Sequence, residues 1–333
     1  MTIFIRFFVV ALVCLGVSEA EVGSEGNVRT LYLKADHVWQ LDAPDDIRMD
    51  SSGLLRLPDG SMLVINDRDG AVYSLRPELN RRTVNLSLAT NLFSPTELAR
   101  FEGRKHGRYD GEGLAIDARG RIYFCEETDR WIMRCEPKTG AVELLEIDWS
   151  SVSHWFSTDK NASFEGIAID GNRLWVANER NIGRIILVDL ASLKVVEDFQ
   201  VAPVGNSDED IHYSDLCFFD GFLWVLCREN FMVLKVNPKS HETVGQYNYR
   251  AIERSTPNVY AQPFNVGFME GLSVDATSIW LVADNNGFPR VSALNDRRST
   301  LWRCPRPDVV PTAVESTETR EGALKSKRPP GGD

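Results

Sequence analysis

The chain has 333 residues with 37 basic and 48 acidic side chains, a formal charge of −11, and this acidity argues against a nucleic-acid partner. Hydrophobic residues at 43% and charged residues at 26% match ordinary globular proteins and exclude both a disordered chain and a multispan membrane protein. Arg6, the apolar run 7–16 and Ser18-Glu19-Ala20 read as a secretory signal over residues 1–20. The run is shorter than the roughly 20 residues that span hydrocarbon, so no membrane span is expected after cleavage. Ala11-Leu12-Val13 before Cys14 does not fit a lipidation site. Cleavage leaves five cysteines, an odd number that does not make a disulfide framework, and no CxxC zinc spacing occurs. Cys125 and Cys135 flank a hairpin and either pair or fill strand positions as buried thiols.

The segment 31–41 alternates like a strand and precedes an internal repeat. Units begin near Ser52, Glu112, Glu165, Ser214 and Glu270, about 50–60 residues apart. In the third unit Phe164-Glu165-Gly166-Ile167 leads into Leu174-Trp175-Val176-Ala177-Asn178-Glu179; in the fifth, Met269-Glu270-Gly271-Leu272 leads into Ile279-Trp280-Leu281-Val282-Ala283-Asp284. Short apolar runs joined by Asp-Gly and Gly-Asn turns predict consecutive antiparallel strands, with further strands at 131–135 and 142–147, 185–188 and 195–199, and 233–236 and 243–247. Four strands per unit predict an all-β fold, a β-propeller of five four-stranded blades, with six as the alternative. The fifth unit stops after its third strand, 300–304, so the segment 31–41 is expected to complete it and close the ring. In the loop 89–111, Ser94-Pro95-Thr96-Glu97 predicts a capped short helix. The expected organisation is a signal at 1–20, a propeller domain at 21–307 and a disordered tail at 308–333, rich in Pro, Ser, Thr, Glu and Lys.

The start of each first strand and the end of each second strand lie at one end of a blade, because neighbouring strands are antiparallel. Asp67, Glu112, Glu127, Glu165, Glu179, Glu270 and Asp284 therefore face one mouth of the ring, and blade four departs with Ser214 and Arg228. Converging carboxylates repel until a proton or a cation neutralises them. All-oxygen ligation selects calcium or magnesium over zinc, and calcium is the expected cofactor because a ring of separate strands offers a flexible cage of several oxygens. The alternative is a folding device in which each acid caps main-chain amides beside its turn. Long loops at 89–111, 149–163, 201–213 and 250–269 open at the same mouth and carry His106, His154 and His212 with Tyr109, Trp155, Tyr213 and Tyr260; Arg68 and Arg180 follow the strand-end acids. His106 and His212 are the candidate general bases and Arg180 the candidate clamp for an anionic ester oxygen, together describing metal-assisted hydrolysis. No GxSxG elbow is present, which argues against a serine esterase.

Ser52-Gly53-Leu54 with Asn66-Asp67-Arg68, the recurring Glu-Gly-Ile/Leu-Ala starts, and Glu270-Gly271-Leu272 with Asp284-Asn285-Asn286 resemble the secreted phytase-like propellers grouped as "esterase-like activity of phytase" over roughly residues 50–305. The resemblance implies a secreted or periplasmic propeller that hydrolyses esters or phosphoesters. No lysine and arginine cluster dense enough for phytate is visible. Two functions follow as expectations: a calcium-dependent hydrolase of a small ester or phosphoester, or a non-catalytic module holding a carbohydrate, peptide or surface partner. A monomer is expected in either case.

Overall fold

The computed structural model describes residues 28–44, 47–101, 109–160, 162–180, 183–206, 211–263 and 267–309. The expected signal at 1–20, nearly all of the expected tail, and His106 lie outside the described residues.

Five sheets form the five blades, each an antiparallel meander. Blade 1 runs Ser51–Arg56, Met62–Asn66, Ala71–Leu75 and Ser87–Leu88, and blade 2 runs Gly111–Ile116, Ile122–Glu126, Trp131–Cys135 and Val142–Leu144. Blade 3 comprises Phe164–Asp170, Arg173–Asn178, Arg184–Asp189 and Lys194–Phe199; blade 4 comprises Tyr213–Phe219, Phe222–Cys227, Met232–Val236 and Thr243–Asn248. Blade 5 takes Met269–Val274, Ser278–Ala283 and Thr300–Pro305, and His37–Asp42 pairs antiparallel to the last of these, closing the ring. The first strand of every blade packs on those of both neighbours, so these five strands surround the axis.

Second strands are apolar through their middle positions, Met62 to Ile65, Ile122 to Cys125, Leu174 to Ala177, Leu223 to Cys227 and Ile279 to Ala283, because both of their faces are buried there. Leu174 and Val176 pack toward blade 2, while Trp175 and Ala177 pack toward blade 4, where the indole stacks on Phe218 with centroids 5.1 Å apart. Leu223, Val225 and Cys227 face blade 3, whereas Trp224 and Leu226 face blade 5. One apolar cluster fills each seam between neighbouring blades, so no blade has a core without its neighbours.

Three details differ from expectation. Thr30–Tyr32 does not belong to blade 5: it runs parallel to Thr243–Asn248, with Leu31 opposite Tyr247, as an outer fifth strand of blade 4. The amino-terminal segment thus ties blade 4 to blade 5 before closing the ring. Thr83–Asn85 plays the same part on blade 5, pairing parallel to His37–Asp42. The fourth strand of blade 2 ends at Leu144 rather than near 147. The short helix Pro95–Leu98 is present, with Ser94 Oγ accepting from the Glu97 amide at 3.4 Å. Cys125 lies opposite Ile132 and Cys135 opposite Ile122, at different ends of their hairpin, so both stay buried thiols, and all five described cysteines are free. Among the described residues no helix is long and apolar enough to cross a membrane.

Inner strands meet almost backbone to backbone at the axis. A Cβ on Gly113 would lie 2.6 Å from Gly166 Cα, and one on Gly166 would lie 2.4 Å from Asp215 Cα. Neither clash can be relieved by a rotamer change, because the obstructing atoms are main chain. Gly166→Ala is therefore expected to destabilise the ring by about 2–3 kcal/mol, read as a lowered urea midpoint at unchanged slope. A loss within experimental error would show that the blades are free to spread.

An acidic well at the mouth of the ring

One main-chain hydrogen bond recurs in all five blades. The amides of Asp67, Glu127, Glu179, Arg228 and Asp284 donate to the carbonyls of Asp50, Asp110, Ser163, His212 and Phe268, at 2.7–3.2 Å. These five residues are structurally equivalent, each set at the end of its second strand. The facing position of each first strand carries a β-bulge, spanning Ser52/Leu54, Gly111/Leu114, Phe164/Gly166, Tyr213/Asp215 and Met269/Gly271. A bulge leaves its extra residue out of the ladder and re-aims the side chain. The residues freed this way include Glu112, Glu165, Ser214 and Glu270, so the leading acids turn toward the axis.

The structure places all seven predicted acids around one cavity of about 240 Å³. Main-chain capping is shared between the preceding positions and the acids: Asn66 Oδ1 accepts from the Asp50 amide at 3.0 Å and Glu126 from the Asp129 amide at 2.8 Å, while Asp284 Oδ1 itself accepts from the Asn286 amide at 2.7 Å and Glu127 from the Ser163 amide. Ser52, in place of a leading glutamate, donates its hydroxyl to Glu112 Oε2. Two further carboxylates, Asp50 and Asp110, line the well and were not predicted; both lie in the chain just ahead of a first strand.

Arg228 is another unpredicted component. Its Nη1 donates to Glu270 Oε1 and its Nη2 to Glu179 Oε1 at 2.5 Å, so the departure in blade 4 supplies a buried counter-ion to two acids. Arg48, Arg68 and Arg180 stand at the rim. Arg48 Nη2 and Arg68 Nη1 lie 2.7 and 3.3 Å from Asp50 Oδ2, and Arg180 Nε lies 3.1 Å from Glu179 Oε2. All three keep part of the side chain in solvent.

Burial raises the pKa of the carboxyls, and their neighbours add to it. Glu112 is pushed well up by burial and then by Glu165, Asp67 and Glu127; Glu165 likewise by burial, then Glu179, Glu127 and Glu270, with Arg228 opposing. Burial, with Asp110 and Glu179, carries Glu127 up to about 8. Asp284 rises through burial and the charges of Asp67 and Asp50. Glu179 and Glu270 rise by burial, and Arg228 opposes the rise in both.

The donor set fits a hard divalent cation. Glu127, Glu165 and Glu179 are buried and each offers an oxygen, all within 4.8 Å of one another. Glu127 Oε1 and Glu270 Oε2 are buried without a hydrogen-bond partner among the described residues. Carboxylates alone select calcium or magnesium over softer metals.

Below this layer sits Asp215, which occupies the position of Gly166 in the repeat. Its carboxylate accepts from the amides of Leu272 at 2.7 Å, Leu216 at 2.8 Å and Leu54 at 3.3 Å, joining blades 5, 4 and 1 across the axis. Burial pushes its pKa up, and the three amides oppose that rise.

The predicted catalytic groups are placed less uniformly. Arg180 lines the well; His212 does not, its Nδ1 lying 3.7 Å from Glu229 Oε1 beside Arg228. The loop aromatics anchor loops and do not present a binding surface. Tyr109 donates to Leu98 O at 2.7 Å, Tyr213 to Val201 O at 2.6 Å and Tyr260 to Arg298 O at 2.8 Å, while Trp155 lies under Arg184.

A five-bladed propeller with an acidic well at its mouth, rimmed by arginines, is thus the class of protein that fold and site define. The chain belongs to the phytase-like family described as esterase-like activity of phytase, whose model matches residues 50–287. Among solved structures, the glutaminyl cyclase of Myxococcus xanthus is similar in fold, with 13% identity and a TM-score of 0.55 over 83% of this chain and 97% of that one. The PQQ-bound aldose sugar dehydrogenase of Streptomyces coelicolor aligns with 13% identity and a TM-score of 0.44, over 82% of this chain and 98% of that one. No curated protein matches the chain in sequence.

Proposed function

We propose that the chain is a secreted or periplasmic hydrolase of a small anionic ester, foremost a phosphoester, dependent on a calcium ion held in the acidic well. The observation that carries this reading is the meeting of Glu127, Glu165 and Glu179 beneath three partly exposed arginines. Carboxylates at the bottom and guanidinium groups above form a site with two signs of charge, suited to a cation and an anion stacked on it. Calcium, when bound, supplies charge neutralisation at the ester oxygens and at the attacking water.

The chain's own groups do the rest. Arg180 and Arg68 orient the anionic oxygens, each steadied by one carboxylate. Glu112 accepts a hydrogen bond from the Ser52 hydroxyl, and burial and its acidic neighbours raise its pKa well above the ordinary carboxyl value, which suits it to carry the exchanged proton. His212 supports this arrangement from outside the lining, next to Glu229. Family membership is consistent with ester hydrolysis.

The test is turnover of aryl phosphoesters, aryl carboxylic esters and lactones by the purified protein, with and without calcium. Phosphoester turnover that EDTA removes, and that Glu165→Gln lowers about 10²–10³-fold, is the expected result. Inactivity of folded, calcium-loaded protein on all three classes overturns it in favour of a non-catalytic propeller that holds a carbohydrate, peptide or surface partner.

A further inference from the structure

We infer that the Arg228 guanidinium stands where a second divalent cation would otherwise bind, and thereby fixes the well at one ion. This rests on the reading of the well as a cation site. Arg228 occupies the position that is acidic in the other four blades, as its amide bond to His212 O establishes. Its two terminal nitrogens take one oxygen each from Glu179 and Glu270, and Nε lies 3.5 Å from Glu229 Oε1. A guanidinium bonded to two carboxylates and within ion-pair distance of a third does electrostatically what a bound cation does, but it is covalently tethered and always charged.

Two oxygens point to what would replace it. Glu270 Oε2 is buried without a partner, while its other oxygen is held by Arg228. Glu127 Oε1 is also buried without a hydrogen-bond partner among the described residues and belongs to the set that converges for one ion. Removing the guanidinium leaves Glu179 and Glu270 facing one space with Glu165 beside both, which is again an all-oxygen set. Ser214, the neutral residue at the leading position of the same blade, adds no charge there.

The experiment counts calcium ions per chain, by native mass spectrometry and by isothermal titration, for the wild type, Arg228→Gln and Arg228→Lys. The inference expects one ion in the wild type, two in Arg228→Gln and one in Arg228→Lys, which keeps the charge. One ion in both the wild type and Arg228→Gln overturns the inference and leaves the cation site standing, and two in the wild type also overturns it. None in the wild type overturns the proposed cation site; one in Arg228→Gln would then still show the side chain acting as the resident cation, and none in either overturns both. If Arg228→Gln does not fold without calcium, it is purified and counted in calcium, where two ions per chain are again expected and one overturns the inference.

Discussion

Replacing Asp215 with alanine is expected to cost the folded ring at least about 3 kcal/mol, because three buried amides lose their acceptor and each unsatisfied group costs about 1–3 kcal/mol. The amides belong to Leu54, Leu216 and Leu272 on three blades, so the loss falls on the axis where those blades are joined. Nothing else is placed to replace the carboxylate, since glycines bring the neighbouring inner strands into main-chain contact there. Asp215→Asn keeps a carbonyl oxygen and nearly the same volume, and is expected to recover more than half of the loss. Urea unfolding of the three proteins at one pH measures both quantities. A cost below about 1 kcal/mol for the alanine variant would mean that water serves these amides equally well, and the axial role of Asp215 would fall.

The propeller is legible in sequence because its strands carry a strong local signal. Runs such as Leu174 to Ala177 are apolar at every position, since alternate side chains enter different seams, and the repeat exposes the same run in each blade. Thr30–Tyr32 is not legible in this way: three residues have no period, and the choice of blade 4 over blade 5 is made by a parallel pairing with residues more than two hundred positions away. The seven acids were readable because they recur. Asp50 and Asp110 were not, since they sit ahead of the repeat and join the well through carbonyls that hold Asp67 and Glu127. Arg228 was visible as a departure, but its meaning lies in contacts 49 and 42 residues away, with Glu179 and Glu270. Asp215 was hidden inside the copy that had lost its acids. The loop tyrosines misled because residue type does not reveal whether a hydroxyl is spent on a main-chain carbonyl.

Without a divalent cation the ring is expected to lose stability as pH rises from about 4.5 to about 8. Glu127 has an ordinary value of 4.5 and is carried up to about 8 in the folded chain. Between those values the folded state holds a proton that the unfolded state has released, so stability falls with rising pH, by up to about 1.4 kcal/mol per pH unit for one such proton. Glu112, Glu165 and Asp284 are shifted in the same direction and steepen the fall. Asp36, Asp117, Asp275, Asp296 and Asp308 are lowered, so their contribution is present above about 3.8 and is lost only at lower pH. In EDTA the melting temperature should therefore peak near pH 4–5 and decline toward pH 8.5. Calcium competes with the same protons, so its effect must be small at pH 5 and large at pH 8.5. At about 100 times its dissociation constant it adds about 2.7 kcal/mol, a rise of roughly 5 °C for a domain of this size. Glu165→Gln removes one of the repelling charges and one of the three converging ligands at once. The variant should melt higher than the wild type in EDTA at pH 8.5, yet gain almost nothing from calcium. A wild-type melting temperature that rises from pH 5 to 8.5 in EDTA would sink the charge argument, and an undiminished calcium response in Glu165→Gln would remove that residue from the ion's ligands.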